Sequence, residues 1–294
     1  MDLFALIAAR PLLFDGGLGR ALMERGFTAG ECPEEWNVSH PAEVEDIHRS
    51  FYAAGSDIVN TNTFGGTAMR LEAHGLSARA VELNEAGARL AAGVRDREFP
   101  GRWVAGDIGP CGQMVRPMGN AEPDALRATF AEQARALVAG GVDLLNIETM
   151  FDLTEATIAV EAAVAAADGR PVLASMTFKP AAKGFRTMMG VSPEAAVKAL
   201  KDAGADLVGC NCEITAEPMA DLVPIMAELG GGLTYAQPNA GQPRLEAGET
   251  VYAETPEHFA AVVATYPALG ARVVGGCCGT PPASIAALAA ALGR

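Results

Sequence analysis

Ala271-Arg272-Val273-Val274-Gly275-Gly276-Cys277-Cys278-Gly279-Thr280 opens as an apolar, β-branched run and breaks abruptly into glycine and polar residues. The first half reads as a buried strand, the second as the turn at its C-terminal end. The same switch recurs along the chain. Apolar runs predict strands at Pro11–Phe14, Asp57–Asn60, Trp103–Gly106, Leu144–Ile147, Val172–Met176, Leu207–Gly209, Leu233–Gln237 and Val273–Gly275. Helical patterns fill the intervals, over Pro41–Ala54, Ala78–Arg95, Asp124–Ala139 and Leu153–Ala166, then Pro193–Ala203, Met219–Leu229, Pro256–Tyr266 and Pro282–Leu292. Ser192-Pro193 and Thr255-Pro256 are clear helix starts, a capping hydroxyl followed by proline at the first helical position. The helix from Pro256 is expected to stop near Tyr266, because Pro267 disfavours helical geometry in the residue before it.

Strands that are continuously apolar rather than alternating belong to a parallel sheet covered on both faces. Strand and helix alternating eight times over 294 residues fit a closed (β/α)8 TIM barrel, read as one domain spanning 1–294. A doubly wound open sheet is the runner-up. It lacks its usual signature, since Asp15-Gly16-Gly17-Leu18-Gly19 does not have dinucleotide-binding spacing. In the barrel, the polar strand ends ring a single mouth, where the fold carries its active site. They are Asp15-Gly16-Gly17, Thr61-Asn62-Thr63-Phe64, Asp107-Ile108-Gly109-Pro110, Glu148-Thr149, Thr177-Phe178, Asn211-Cys212, Pro238-Asn239-Ala240-Gly241 and Cys277-Cys278-Gly279.

Acidic residues outnumber basic ones by 36 to 22, for a formal charge of −14. That balance argues against binding nucleic-acid backbones or anionic membrane surfaces. There is no basic, apolar leader at the start and no uninterrupted apolar stretch of about 18 residues, so a soluble, cytoplasmic protein is expected. Six cysteines in 294 residues are too sparse for a disulfide framework.

Free cysteine often serves as a small core hydrophobe. An adjacent Cys277-Cys278 pair flanked by glycines is different, because neighbours in a regular strand face opposite ways. Both thiols reach one point only where the backbone turns, and the glycines permit that turn. Together with Cys212 they suggest a metal site, and Zn²⁺ is the ion that soft sulfurs select. Three protein ligands leave one position open, which distinguishes a zinc that does chemistry from one that holds a fold.

In order along the chain, Asp-Gly-Gly, Thr-Asn-Thr-Phe-Gly, Gly-Asp-Ile-Gly-Pro, Ile-Glu-Thr, Asn-Cys, Pro-Asn-Ala-Gly and Gly-Gly-Cys-Cys-Gly-Thr-Pro resemble the homocysteine S-methyltransferases. The likeness runs from about Leu12 to Leu292. It is greatest to the homocysteine-binding barrel of cobalamin-dependent methionine synthase, and more distant to betaine– and S-methylmethionine–homocysteine methyltransferases. The resemblance implies zinc on Cys212, Cys277 and Cys278, with the zinc-activated thiolate of homocysteine accepting a methyl group to form methionine. It assigns the amino-acid end of homocysteine to Asp15 and Glu148 for the ammonium group. Backbone N–H groups around Gly16 and Gly17 are assigned to the carboxylate, and Thr63 is a further pocket residue. Beyond the substrate thiolate no catalytic side chain is implied. The position of Cys210 is usually aliphatic in the family, and Cys210 is read as core.

The methyl donor is less legible. Betaine-type members enclose a quaternary ammonium in an aromatic cage, but aromatic residues are only 6% of this chain, and Gly65 stands where those enzymes have tyrosine. Trp36 is displaced from the expected cage position. These absences favour methylcobalamin carried by a separate corrinoid protein, docking on Glu31–Trp36 and Met114–Asn120 at the mouth. Asp46-Ile47-His48 is a fragment of a cobalamin-binding pattern, but Phe51 replaces its glycine and the stretch reads as helix interior. The alternatives are self-sufficient transfer from S-methylmethionine or betaine, a demethylase component with another thiol acceptor, and a non-catalytic zinc- or thiol-binding barrel.

Overall fold

Each apolar run forms a strand, and all eight strands join one parallel sheet. A computed structural model describes residues 2–246 and 249–294, with the side chains of 243–251 outside the description. The strands are β1 (Leu12–Leu13), β2 (Ile58–Asn60), β3 (Trp103–Ile108), β4 (Leu144–Met150), β5 (Val172–Met176), β6 (Leu207–Thr215), β7 (Thr234–Asn239) and β8 (Ala271–Val274). Their order round the sheet is β1-β8-β7-β6-β5-β4-β3-β2, as expected of a (β/α)8 barrel. The helices behind them are α1 (Pro41–Ala53), α2 (Ala80–Glu98), α3 (Pro123–Gly140), α4 (Leu153–Ala166), α5 (Pro193–Asp202), α6 (Ala216–Leu229), α7 (Pro256–Val263) and α8 (Pro282–Ala291).

The seam between β1 and β2 has no strand ladder. One backbone bond crosses it, from Asp57 N to Leu13 O at 2.7 Å. Side chains add to it: Asp57 Oδ2 accepts from Leu13 N at 2.9 Å, Asp15 Oδ2 accepts from Asn60 N at 2.8 Å, and Ser56 Oγ donates to Phe14 O at 3.4 Å. Inside the barrel, Leu12, Phe14, Ile58, Ala105, Leu144, Leu173, Leu207 and Tyr235 pack in one buried cluster with Leu3 and Ile7. Those last two belong to a helix, Leu3–Ala9, that plugs the bottom of the barrel and was not expected from the sequence.

The expected helix from Pro256 ends earlier than Tyr266, at Val263, and Tyr266–Leu269 is a separate 3-10 turn. Pro267 sits in the first turn of that element, where its missing N–H costs nothing. Elements absent from the sequence reading cluster at the mouth. They include the short helices Leu18–Met23, Trp36–Ser39 and Ala68–Leu71, and antiparallel hairpins over Lys179–Arg186 and Pro243–Tyr252. Among the described residues no helix is long and apolar enough to cross a membrane.

Candidate active site and metal centre

Cys212, Cys277 and Cys278 converge at the mouth, with one ligand atom from each lying within 4.8 Å of the others. The Cys212 and Cys278 sulfurs are 3.7 Å apart. Four sulfurs arranged tetrahedrally at about 2.3 Å from a zinc ion stand about 3.8 Å from one another. The donor chemistry and the spacing therefore both fit Zn²⁺. Cys212 gets there by leaving regular strand geometry: its φ is 57° and that of Glu213 is 64°, both in the left-handed region. The ladder between β6 and β7 becomes irregular between Asn211 and Thr215. Such strain persists only where the surroundings enforce it, and it gathers at functional sites.

The two glycine-flanked cysteines are held by neighbouring strand ends. Gly276 N donates to Asp15 O at 2.9 Å, and Cys277 N to Pro238 O at 2.8 Å. The three thiols share their protons unequally. Hydrogen bonds from Cys277 and Cys278 hold Cys212 down to about 3, whereas its thiolate pushes Cys277 well up and Cys278 up to about 12. One anion stabilised by two thiol donors is an arrangement ready to exchange protons for a cation. Cys210 is 1% exposed in the core, in agreement with its sequence reading.

The cysteines face a cavity of about 380 Å³ whose lining also includes Gly16, Gly17, Thr63, Asp107 and Glu148. Glu148 Oε2 accepts from Asn146 Nδ2 at 2.9 Å and from Asn60 Nδ2 at 3.5 Å. Burial, and then the charge of Cys212, push its carboxyl up to about 7. The next residue, Thr149, has a φ of 61° and is gripped by Asn211 through both its N–H and its hydroxyl, at 2.9 and 2.7 Å. Asn211 Nδ2 also approaches Cys277 Sγ at 3.7 Å. This one amide ties the carboxylate strand to the thiol cluster.

The other sequence candidates sit close by in different capacities. Asp15 is fully buried, bonded to Asn60, and is not part of the cavity lining. The N–H of Gly17 is taken by Thr280 O at 2.9 Å. A Cβ on Gly16 would overlap Thr280 O, and one on Gly17 would lie 2.9 Å from Cys277 O, so both glycines allow the β1 loop to pack on the cysteine loop. The Thr63 hydroxyl accepts from Thr61 at 2.6 Å and donates to Asp107 O at 2.8 Å, which leaves it no free donor.

The sequence assigned no role to Asp107, Asn60, Asn146 or Asn211, although Asp107 and Asn211 stood in the strand-end segments quoted above and the other two within the expected strands. At the rim, Arg20 donates to Gly279 O at 2.8 Å, and the Arg70 guanidinium lies 5.2 Å from the centre of the Phe64 ring. Pro33 and Glu34 line the cavity, and Met114 lines an adjoining recess of about 340 Å³ with Phe64 and Phe151. Trp36 is stacked on His40 at 4.2 Å and does not line the cavity, whose aromatic members are Phe64 and Tyr252. His48 is fully buried in α1.

A family model described as homocysteine S-methyltransferase matches residues 12–292. The chain belongs to this family. Methionine synthases of Mycobacterium tuberculosis and Mycobacterium leprae are each 31% identical, over 99% and 100% of this chain. The chain spans about a quarter of the length of these relatives, 25% of each. The metallated form of the homocysteine methyltransferase MmuM from Escherichia coli is similar in structure, with a TM-score of 0.80 and 26% identity. That likeness covers 97% of this chain and 98% of the other.

Proposed function

We propose that this chain is a zinc-dependent homocysteine S-methyltransferase module that forms methionine, taking its methyl group from a corrinoid carried by a separate protein. The observation that carries the reading is three cysteine sulfurs within 4.8 Å of one another, facing a cavity that also holds a buried carboxyl group, Glu148. One end suits a thiol and the other an ammonium group, and homocysteine carries both.

Bound by Cys212, Cys277 and Cys278, Zn²⁺ supplies the Lewis acidity that keeps an incoming thiol deprotonated near neutral pH, where a free thiol of pKa about 8.5 is mostly protonated. Glu148 receives the ammonium end, and its raised affinity for protons reflects a burial that a cationic partner relieves. Asp15 acts at one remove, holding Asn60, whose amide reaches Glu148. Asn211 keeps the Cys277 sulfur and the Glu148–Thr149 backbone in register. The substrate sulfur then faces the open mouth, from which the methyl group must come.

Two aromatic residues in the lining, with Arg70 already over Phe64, make a poor cage for a sulfonium or quaternary ammonium donor. The recess beside Met114, with Pro33 at the cavity rim, is read as the docking surface for a donor protein instead, whereas Cys32, Glu34 and Trp36 of the same loop are buried. The second reading is direct transfer from S-methylmethionine or betaine. It is favoured by the structural likeness to a homocysteine methyltransferase, at a TM-score of 0.80. The deciding assay is methionine formation from homocysteine by zinc-loaded protein, with methylcobalamin, S-methylmethionine and betaine in parallel. Turnover with methylcobalamin alone supports the corrinoid route, and turnover with either small donor replaces it by the second reading. Cys278→Ala is expected to lose zinc and activity together, and activity surviving without metal would sink the zinc mechanism.

A further inference from the structure

Besides the cysteines and the buried acids Glu148 and Asp107, the cavity is lined by Leu18, Leu22, Met23 and Leu71 and by two arginines, Arg20 and Arg70. Arg20 is paired with Glu24 at 2.9 Å and donates to Gly279 O. Arg70 pairs with no carboxylate among the described residues. Its guanidinium carbon stands 5.2 Å over the centre of the Phe64 ring, and Nη1 donates to Pro110 O at 3.1 Å. Arg70 is exposed, so it stands where a donor enters.

The local sequence fixes this placement. Arg70 lies in the short helix Ala68–Leu71, where its N–H donates to the capping Thr67 hydroxyl at 3.2 Å. A Cβ on Gly65 would stand 3.0 Å from Arg70 Nε, and one on Gly109 would stand 2.4 Å from Phe64 Cε2. Two glycines thus clear the space in which the ring and the guanidinium stack.

An aromatic face is what a protein uses to recognise a methylated cation. Of the two rings in the lining, Tyr252 packs closely on Gly279 and Phe64 carries a cation of the protein's own. A sulfonium or quaternary ammonium group entering beside Phe64 meets a like charge in place of a free π face, and that juxtaposition is repulsive.

We infer that Arg70 sets the choice of methyl donor: its guanidinium turns away donors that are methylated cations and admits a methyl group presented without net positive charge, as on methylcobalamin. This rests on the corrinoid route proposed above and supplies its selectivity. In every route the thiolate electron pair forms the new S–CH3 bond, and the pair of the broken bond stays on the donor, so that a sulfonium leaves as a neutral thioether. The reacting thiolate can attack either kind of donor, and the choice is made at binding.

The experiment measures kcat/KM for methylcobalamin and for S-methylmethionine on zinc-loaded, full-length protein at saturating homocysteine. Wild type is expected to favour methylcobalamin. Arg70→Gln removes the charge, and its ratio of S-methylmethionine to methylcobalamin turnover should rise about tenfold or more, the size of a cation–π contact regained. Arg70→Lys keeps the charge and should stay within about threefold of wild type. The ratio cancels any general loss of activity, and zinc content is measured in each variant.

An unchanged ratio in Arg70→Gln, or an equal rise in both variants, overturns the inference. A comparison on wild type alone stands even if the variants fail to fold. It sets S-methylmethionine against its uncharged carbon isostere, 2-amino-5-methylhexanoate, by calorimetry on the homocysteine-saturated protein. The isostere should bind more tightly, and equal binding or tighter binding of the sulfonium overturns the inference. A wild type that uses S-methylmethionine as readily as methylcobalamin overturns the corrinoid reading itself, a result distinct from an unmoved ratio in a wild type that prefers methylcobalamin.

Discussion

Asn211 is the residue through which the two halves of the site feel each other, and its removal has a distinct signature. Its amide grips Thr149 and touches the Cys277 sulfur at 3.7 Å. Partners of metal ligands are worth roughly 10- to 100-fold in metal affinity. Asn211→Ala should weaken zinc binding by about that factor in chelator competition, with all three cysteines intact. Unchanged zinc affinity would show that the contact does nothing for the metal. Glu148→Gln keeps the shape and removes the charge, so KM for homocysteine should rise about 10- to 100-fold with little change in kcat, as expected for lost ground-state binding. An equal fall in kcat would mean that Glu148 acts on the reacting sulfur. The cysteines and Glu148 could be placed at the mouth from the sequence because each stands within three residues of an expected strand end. Asp15 was legible by the same rule, but its direction was not, since the gap between β1 and β2 draws its carboxylate onto Asn60. Asp107 stood in a recognised segment, yet its Oδ1 is left without a partner while Thr61, Thr63 and Gln133 bind its backbone instead, and no spacing in the sequence encodes that.

At the scale of elements, α1 buries Val44, Ile47, Phe51 and Tyr52, and among them His48, with neither ring nitrogen bonded. Burial lowers the His48 pKa to about 4 from a free value of 6.5. The unfolded chain therefore takes up a proton first as pH falls, and stability is lost between about pH 6.5 and pH 4, levelling below. A gap of that size corresponds to roughly 3 kcal/mol. His48→Leu should flatten this part of the stability profile, measured by denaturant unfolding at pH 7 and pH 4.5. An unaltered pH dependence would mean that His48 is solvated in solution. The barrel's strands and outer helices were readable because apolar runs and capping signals recur, as in Ser192 accepting from Ala195 N at 3.3 Å. The Leu3–Ala9 plug was not, because a single short apolar helix has no local mark of what it covers. The mouth helices and hairpins were missed for a related reason, being fixed by tertiary bonds such as Gly65 N to Glu34 Oε1 at 2.6 Å.

For the whole molecule, the question is how a ring of eight strands stays shut where one ladder is missing. Asp57 answers at the bottom of the seam. It bonds Leu13 N and forms ion pairs with Arg10 after the plug helix, Arg102 before β3 and Arg294 beyond α8, at 2.9, 2.5 and 2.6 Å. Its side chain is 4% exposed, and those of the three arginines are 43, 31 and 22% exposed. Desolvation opposes the charge, but hydrogen bonds from Arg10 and Arg294 outweigh it and hold the carboxyl well below the usual range. Asp57→Asn leaves the shape and takes away the shared anion. Breaking a buried pair costs about 3–5 kcal/mol when the orphaned charge stays buried. These arginines can turn to solvent, so about 2 kcal/mol is expected, or about 3 °C in melting temperature for a chain of this length. The sign with pH follows from the depressed carboxyl. Its contribution is complete above the unfolded value near 3.8 and declines as pH falls toward the folded one. The gap between wild type and Asp57→Asn should therefore be full at pH 7 and narrow below about pH 4. Zinc affinity, set at the opposite end of the barrel, should remain unchanged in this variant. A gap independent of pH would mean that the asparagine disturbs packing at the seam rather than its charge, and the closure would then rest on the Leu13 and Asn60 backbone bonds alone.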